Sequence, residues 1–344
     1  PENGPEHRLL KTKWRRQLKS NPANDLAEKC ANAIAWIEEV TGEKVKGRLL
    51  ETQKILRNLA EVNFRQQASG VASEAERKLV WQLVPASIDV EWLLEIYEGL
   101  RSNPLAKSLA RQLKEIQGGP IFISDEKVGG NNSRPRDLQF ELVLMAFFAK
   151  VGISPLFRCG ESDGVYDLFG LPLFTECKRI HSRKGIRRAI KNAKDQILRA
   201  RLANVHRSPV GLIAIESTKI FNDGTAQPKV GSEIEARRYM MVINEKILFE
   251  LKKERLPDNI LGIVVYHITA IVINGELRIG PHWKFLENPD FDRKLAPTMT
   301  RFKLAGNSLD PLRLRPGEGP FKIPNNNAPF TPFGRFVTAI GRGP

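Results

Sequence analysis

The side chains able to do chemistry gather in one short stretch. Asp163-Gly164-Val165-Tyr166-Asp167 is followed by Phe174-Thr175-Glu176-Cys177-Lys178, so carboxylates and an amine stand among apolar residues. Glu176 and Lys178 are two residues apart, and on a strand they project from one face while Cys177 points to the other. Phe169-Gly170-Leu171-Pro172 reads as a turn that folds the Asp167 strand back beside the Glu176 strand, bringing Asp167, Glu176 and Lys178 to one spot. Two carboxylates there form a hard, oxygen-rich site suited to Mg2+ or Mn2+. Such a cation polarises a phosphodiester and lowers the pKa of a bound water, while a lysine beside it stabilises charge on the phosphorus oxygens. An acid-x-Lys triplet by itself is also what a solvated strand face looks like. Here Leu173, Phe174 and Ile180 flank it, and charge within a buried strand needs a reason. Asp163, standing before Gly164, reads as a turn cap.

A further carboxylate lies upstream. Glu141 sits in Leu138-Gln139-Phe140-Glu141-Leu142-Val143-Leu144-Met145, a helical run in which Leu138, Leu144 and Met145 are its neighbours at three and four places. An ionised Glu there is costly unless it is paired, bound to a metal or at an edge that reaches water. Downstream, residues 178–207 hold 11 Lys and Arg against the single acid Asp195. Solvated helices normally mix both signs, so a one-sign helix beside a metal site points to phosphate-backbone contact. Arg179, Arg183, Lys184, Arg187, Arg188 and Lys191 are the candidates nearest that site.

The order of these features resembles the PD-(D/E)xK nuclease superfamily: Glu on a helix, Asp, Glu-x-Lys across a hairpin, then a helix carrying Gln. Glu141, Asp167, Glu176, Lys178 and Gln196 fill that order, and the run Glu176-Cys177-Lys178-Arg179 is most similar to Mrr-type restriction endonucleases. The resemblance spans about 134–217. It implies that Asp167 and Glu176 ligate Mg2+ or Mn2+, with Glu141 as accessory ligand, Lys178 attending the attacking water and Gln196 hydrogen-bonding within the site. It also implies DNA over RNA, a homodimer where both strands of a duplex are cut, and a restriction or anti-phage role in a cytoplasm. The helix lacks the Gln-x-x-x-Tyr pattern of RecB-like nucleases, since Ala200 stands at the Tyr place. Arg201 and His206 have the Arg-x4-His spacing of HEPN ribonucleases, but Leu202 replaces the polar residue usual there. A non-catalytic nucleic-acid-binding module on the same fold is the competing reading, although a pure binder gains nothing from acids facing phosphate.

The elements that must position these residues follow from periodicity. Helices are expected over 24–40, 48–68, 73–83, 89–101 and 105–117, the third stopping before Pro85. A helix over 135–150 follows, then strands at 156–159, 165–169 and 173–180, a basic helix over 183–205, a strand at 210–217 and a helix over 232–254. Strands at 260–273 and 276–279 enclose the hairpin signal Asn274-Gly275. The expected fold class is α/β, a mixed central sheet flanked by helices in a restriction-endonuclease-like arrangement, preceded by an all-α N-terminal domain. The expected boundaries are a basic segment 1–20, a helical domain 21–118 offering a surface to a protein partner, a linker 119–134, a nuclease-like domain 135–288 and a Pro/Gly-rich tail 289–344.

Composition excludes other classes. The 344 residues carry 54 Lys and Arg against 39 Asp and Glu, a formal charge of +15. Residues 1–130 hold 20 basic and 18 acidic groups, so nearly all of the surplus falls in the second part, where a polyanion would bind. The longest apolar run, 260–273, is too short for a membrane helix and rich in Val and Ile. No phosphate-binding loop, dinucleotide fingerprint or nucleophile elbow occurs, and three cysteines without a CxxC pair exclude a structural zinc site and suit a reducing compartment.

Overall fold

The computed structural model describes residues 22–69, 74–127, 132–156, 163–168, 170–203, 210–221, 229–273, 276–292, 297, 300 and 302. Four helices come first: α1 Pro22–Thr41, α2 Gly47–Ser69, α3 Glu74–Leu100 and α4 Ala110–Glu115, the last entered through a 3-10 turn at Pro104–Leu109. α5 spans Arg134–Lys150. Strands β1 Ser154–Leu156, β2 Gly164–Leu168 and β3 Leu171–Arg179 lead to helix α6 Gly185–Ala203 and strand β4 Val210–Glu216. Short α7 Thr218–Phe221 and β5 Lys229–Val230 precede α8 Glu233–Lys252, β6 Ile260–Ile273 and β7 Glu276–Glu287.

The seven strands form one mixed sheet in the order β1-β2-β3-β4-β6-β5, with β7 also on β6. β2 is antiparallel to both its neighbours, β1 and β3; β3, β4 and β6 are parallel; β7 returns antiparallel along β6. Parallel neighbours require crossovers, and α6 and α8 supply them. Every residue of β4 is buried, as expected of a strand covered on both faces. Its alternate residues divide accordingly: Ile213 and Ile215 face α6 and α8 with Ile190, Ile197 and Ile247, while Leu212 and Ala214 join the core built on α3 and α5.

That second core is continuous. It runs from Leu26 and Ile37 through Trp92 and Phe148 to Tyr266 and Phe302, so the N-terminal helices and the sheet share one apolar interior. Gly99 marks the closeness of α3 and α5, since a Cβ there would lie 2.6 Å from Ala146 Cβ.

Most helices and strands occupy the expected places, but β1 lies at Ser154–Leu156 and not at 156–159, α7 and β5 have no counterpart in the sequence reading, and four further differences stand out. α3 is a single helix with Pro85 inside it, where the sequence suggests a break. An internal Pro costs about 3 kcal/mol, but Ile88, Val90, Trp92, Leu93 and Ile96 are buried on the far side, at about 1.5–3 kcal/mol per large side chain. β7 continues to Glu287 through Gly280-Pro281, which its edge position tolerates. The helix expected over 105–117 is half 3-10 turn. In the segment expected as a linker, Ile123–Asp125 forms a 3-10 turn and Glu126 is buried. Residues 157–162, 274–275 and 303–344, with the end of the first strand, the Asn274-Gly275 turn and most of the tail, lie outside the described residues, as do residues 1–20.

Candidate functional site

The β2–β3 hairpin sets the geometry of the site. Leu168 pairs with Leu171, so the hairpin loop is two residues long, and Gly170 has φ +92°, the left-handed conformation glycine adopts at low cost. The ladder then runs Asp167 opposite Pro172 and Gly164 opposite Thr175, which sets Asp163 next to Glu176. Asp167 Oδ1 instead accepts from the Gly170 N–H at 2.6 Å, capping the turn. Four residues of strand, about 13 Å, separate its partner Pro172 from Glu176. Asp167 therefore does not meet Glu176 and Lys178. Asp167 takes the turn-capping place expected of Asp163, and Asp163 the place beside Glu176 expected of Asp167, because the loop is two residues long and every step of the ladder follows from it.

The cluster that does form is Asp163, Glu176 and Lys178. Asp163 Oδ2 accepts from the Cys177 N–H at 2.8 Å and lies 3.6 Å from Lys178 Nζ. Lys178 Nζ donates to Glu176 Oε2 at 2.9 Å and to the Cys177 carbonyl at 3.1 Å. Glu176 is fully buried, and among the described residues its Oε1 accepts no hydrogen bond. Burial, followed by the charge of Asp163, pushes the Glu176 carboxyl up to about 7 against the pull of Lys178. Burial alone would lower the Lys178 amine, yet Asp163 and Glu176 together hold it above the ordinary lysine value. It therefore stays an ammonium, able to donate and to neutralise but not to act as a base.

The other predicted members are placed differently. Cys177 packs against the core on the α5 side, and the charge of half-buried Glu141 on α5 acts on its thiol. Glu141 thus approaches β3 from the face opposite to Glu176. Gln196 is half-buried on α6, where Ala200, one turn on, packs on Phe174 and Val165. Among the described residues no group of three or more His, Cys, Asp or Glu is arranged to hold a metal ion. Asp163 and Glu176 form a two-carboxylate set in which one buried oxygen accepts no hydrogen bond among the described residues. That set fits Mg2+, which keeps several waters and commonly takes one or two protein carboxylates together with substrate phosphates.

The basic candidates separate into two kinds. Arg183, Lys184, Arg187, Arg188 and Lys191 are exposed along the entry to α6, whose buried face is Ile186, Ile190, Ala193 and Ile197. Arg187 is 76% exposed although its Nε pairs with Glu254 at 3.0 Å. Arg179 is not on this surface. Its side chain is 2% exposed, pairs with Glu126 at 3.0 Å, Glu216 at 3.1 Å and Asp137 at 3.2 Å, and lies 5.5 Å from the Trp92 ring centroid. One residue beyond Lys178, it points to the opposite face of β3, so a phosphate cannot reach it.

Arg179 belongs to a buried ion network that sequence reasoning missed. Arg136 joins Glu126 at 2.9 Å to Asp89 at 3.2 Å, and Asp89 also pairs with Arg48. Arg48 in turn donates to the Ile116 and Gly118 carbonyls and to Gln139. The network connects α2, α3 and α5 to the ends of β3 and β4. Burial would raise Asp89 and Glu126, but the neighbouring guanidinium groups hold both below the usual carboxylate range. The sequence signal was present in Ile88-Asp89-Val90, an acid within an apolar helical run.

No protein-family model matches the chain, and no curated protein and no solved structure matches it. Among the described residues, no helix is long and apolar enough to cross a membrane.

Proposed function

We propose that the protein is a metal-dependent nuclease that hydrolyses phosphodiester bonds of nucleic acid, DNA before RNA, at the Asp163–Glu176–Lys178 cluster. The observation that carries this reading is the meeting of two carboxylates and an ammonium, with one buried glutamate oxygen that accepts no hydrogen bond among the described residues. Asp163 and Glu176 would hold Mg2+ or Mn2+. When bound, that cation would polarise the phosphodiester and acidify a coordinated water. Lys178 remains charged beside both carboxylates and would stabilise the negative charge that builds on the phosphorus oxygens. The Cys177 N–H fixes the Asp163 carboxylate toward Glu176, so the acid pair is positioned by backbone before any ligand arrives. Arg183, Lys184, Arg187, Arg188 and Lys191 offer a surface for the phosphate backbone, a contact indifferent to sequence and sensitive to salt. The resemblance to Mrr-type enzymes suggests restriction of foreign DNA as the setting.

The test is cleavage of supercoiled plasmid, linear duplex, single-stranded DNA and RNA with Mg2+, Mn2+ or EDTA, beside the Lys178→Ala variant. The expected result is metal-dependent cutting that the variant loses while it still binds nucleic acid. Full activity in Lys178→Ala would overturn the assignment of the site. Salt-sensitive binding without cutting of any substrate would favour the binding module.

A further inference from the structure

Helix α8 has two faces of unlike fate. Ile247 and Leu251 are buried, and Tyr239 and Leu248 pack partly buried against the core that includes Ile186 and Ile190. The other side presents large apolar groups to solvent: Ile234 is 66% exposed, Val242 46% and Phe249 63%. Arg238 and Glu245 are exposed between them. At 100° per residue, 234, 238, 242, 245 and 249 fall within an arc of about 80°. That is one continuous stripe, facing away from the core. Lys253 Nζ lies 4.2 Å from the Phe249 ring centroid and leaves most of that ring open.

The order along the stripe is self-complementary. It reads apolar, basic, apolar, acidic, apolar, and the outer four positions, 234 with 249 and 238 with 245, are symmetric about the midpoint between residues 241 and 242. Two copies of α8 laid antiparallel about a two-fold axis at that midpoint would pair Ile234 with Phe249 of the second copy and Arg238 with Glu245 of the second copy, each twice. Val242 would lie beside the axis. Neither Arg238 nor Glu245 has an ion-pair partner within the chain among the described residues. Isologous pairing of a single patch with itself is the commonest route to a homodimer. An unrelated partner would have no need of this internal symmetry.

We propose that the exposed face of α8 is a homodimer interface, formed by antiparallel pairing of α8 with the same helix of a second copy. The inference rests on the stripe alone and is independent of the nuclease reading. Paired sites on two copies are what cutting both strands of a duplex needs, since one site cuts one strand at a time. A single helix pair is at the small end of specific interfaces, so the dimer should be reversible and concentration-dependent.

The experiment is sedimentation of the full chain over a concentration series, with charge-reversal variants. Arg238→Glu places like charges opposite each other twice, and so does Glu245→Arg. Each variant alone should weaken association by about 10-fold or more. Mixing the two restores both opposite-charge pairs, so a heterodimer should form with near wild-type affinity. The double variant Arg238→Glu with Glu245→Arg should self-associate as the wild type does. Both positions lie on a solvent-facing helix surface, and circular dichroism checks that each variant is folded. A wild-type chain that stays monomeric throughout the series overturns the proposal. So does a dimer that neither single reversal weakens, because its interface then lies elsewhere.

Discussion

Asp163 and Asp167 stand four residues apart in chemically similar settings and do opposite work. Asp163 is held by the Cys177 N–H against Glu176 and Lys178, whereas Asp167 spends its carboxylate on the Gly170 N–H at the hairpin tip. Asp163→Asn removes half of the acid pair. It should lower cleavage by at least about 100-fold, the loss typical when one preorganised polar group leaves an active site. Asp167→Ala removes one turn hydrogen bond and should cost about 1 kcal/mol of stability while cleavage persists. Initial rates on plasmid and urea midpoints for the two variants check this together. Loss of cutting in Asp167→Ala with retention in Asp163→Asn would reverse the assignment. The sequence made Glu176 and Lys178 legible as same-face neighbours, because alternation is intrinsic to a strand. It did not make Asp163 legible, because the identity of the facing residue depends on whether the loop holds two residues or four, and Phe169-Gly170-Leu171-Pro172 allows both.

At the scale of elements, β3 is tied down on both sides. Its α6 face carries Glu176 and Lys178; its other face carries Arg179 into the cage of Glu126, Asp137 and Glu216. Glu126 is the link, since it serves Arg136 and Arg179 together. Glu126→Ala would leave two buried guanidinium groups short of a counter-charge, a loss of about 3–5 kcal/mol. Its pH dependence has a definite sign. Asp89 and Glu126 have folded pKa values below their unfolded ones, so their contribution is complete above the unfolded range of about 4 and is lost as pH falls through the folded values. The gap between wild type and Glu126→Ala in urea unfolding should therefore be widest at neutral pH and close below pH of about 4. A gap that stays constant into acid would mean that the carboxylate charge is not what stabilises the cage. The network was invisible in the sequence for a physical reason. Arg179 sits in a basic run, and a run of like charge looks the same whether a member faces phosphate or turns inward to acids distant in the chain. Helix α3 shows the same limit from the apolar side: Pro85 is a local stop signal, overridden by tertiary burial that no local window contains.

At the scale of the whole molecule, the question is whether the helices before residue 118 can be separated from the sheet that carries the site. The composition change near residue 130 suggested a boundary, and charge does change there. Packing does not. Trp92, Ile96 and Leu100 of α3 lie in the same buried core as Phe140, Phe148, Tyr166 and Tyr266. Asp89 supplies counter-charge to Arg136, which is itself fully buried. A chain beginning at residue 132 would expose the apolar face of α5 and leave Arg136 and Arg179 without Asp89 and Glu126. Both losses act in the same direction, and each is large beside a net folding stability of about 5–15 kcal/mol. Such a fragment should be insoluble or unfolded by circular dichroism. The intact chain should unfold in one transition, with tryptophan fluorescence and far-ultraviolet circular dichroism reporting the same urea midpoint. Two separated transitions, or a soluble and catalytically active fragment from residue 132, would show that the sheet stands alone and that the buried ion network is a joint between domains. A single transition would make the N-terminal helices part of the scaffold that holds β3, so that a substitution at Arg48 or Asp89 is felt at Lys178.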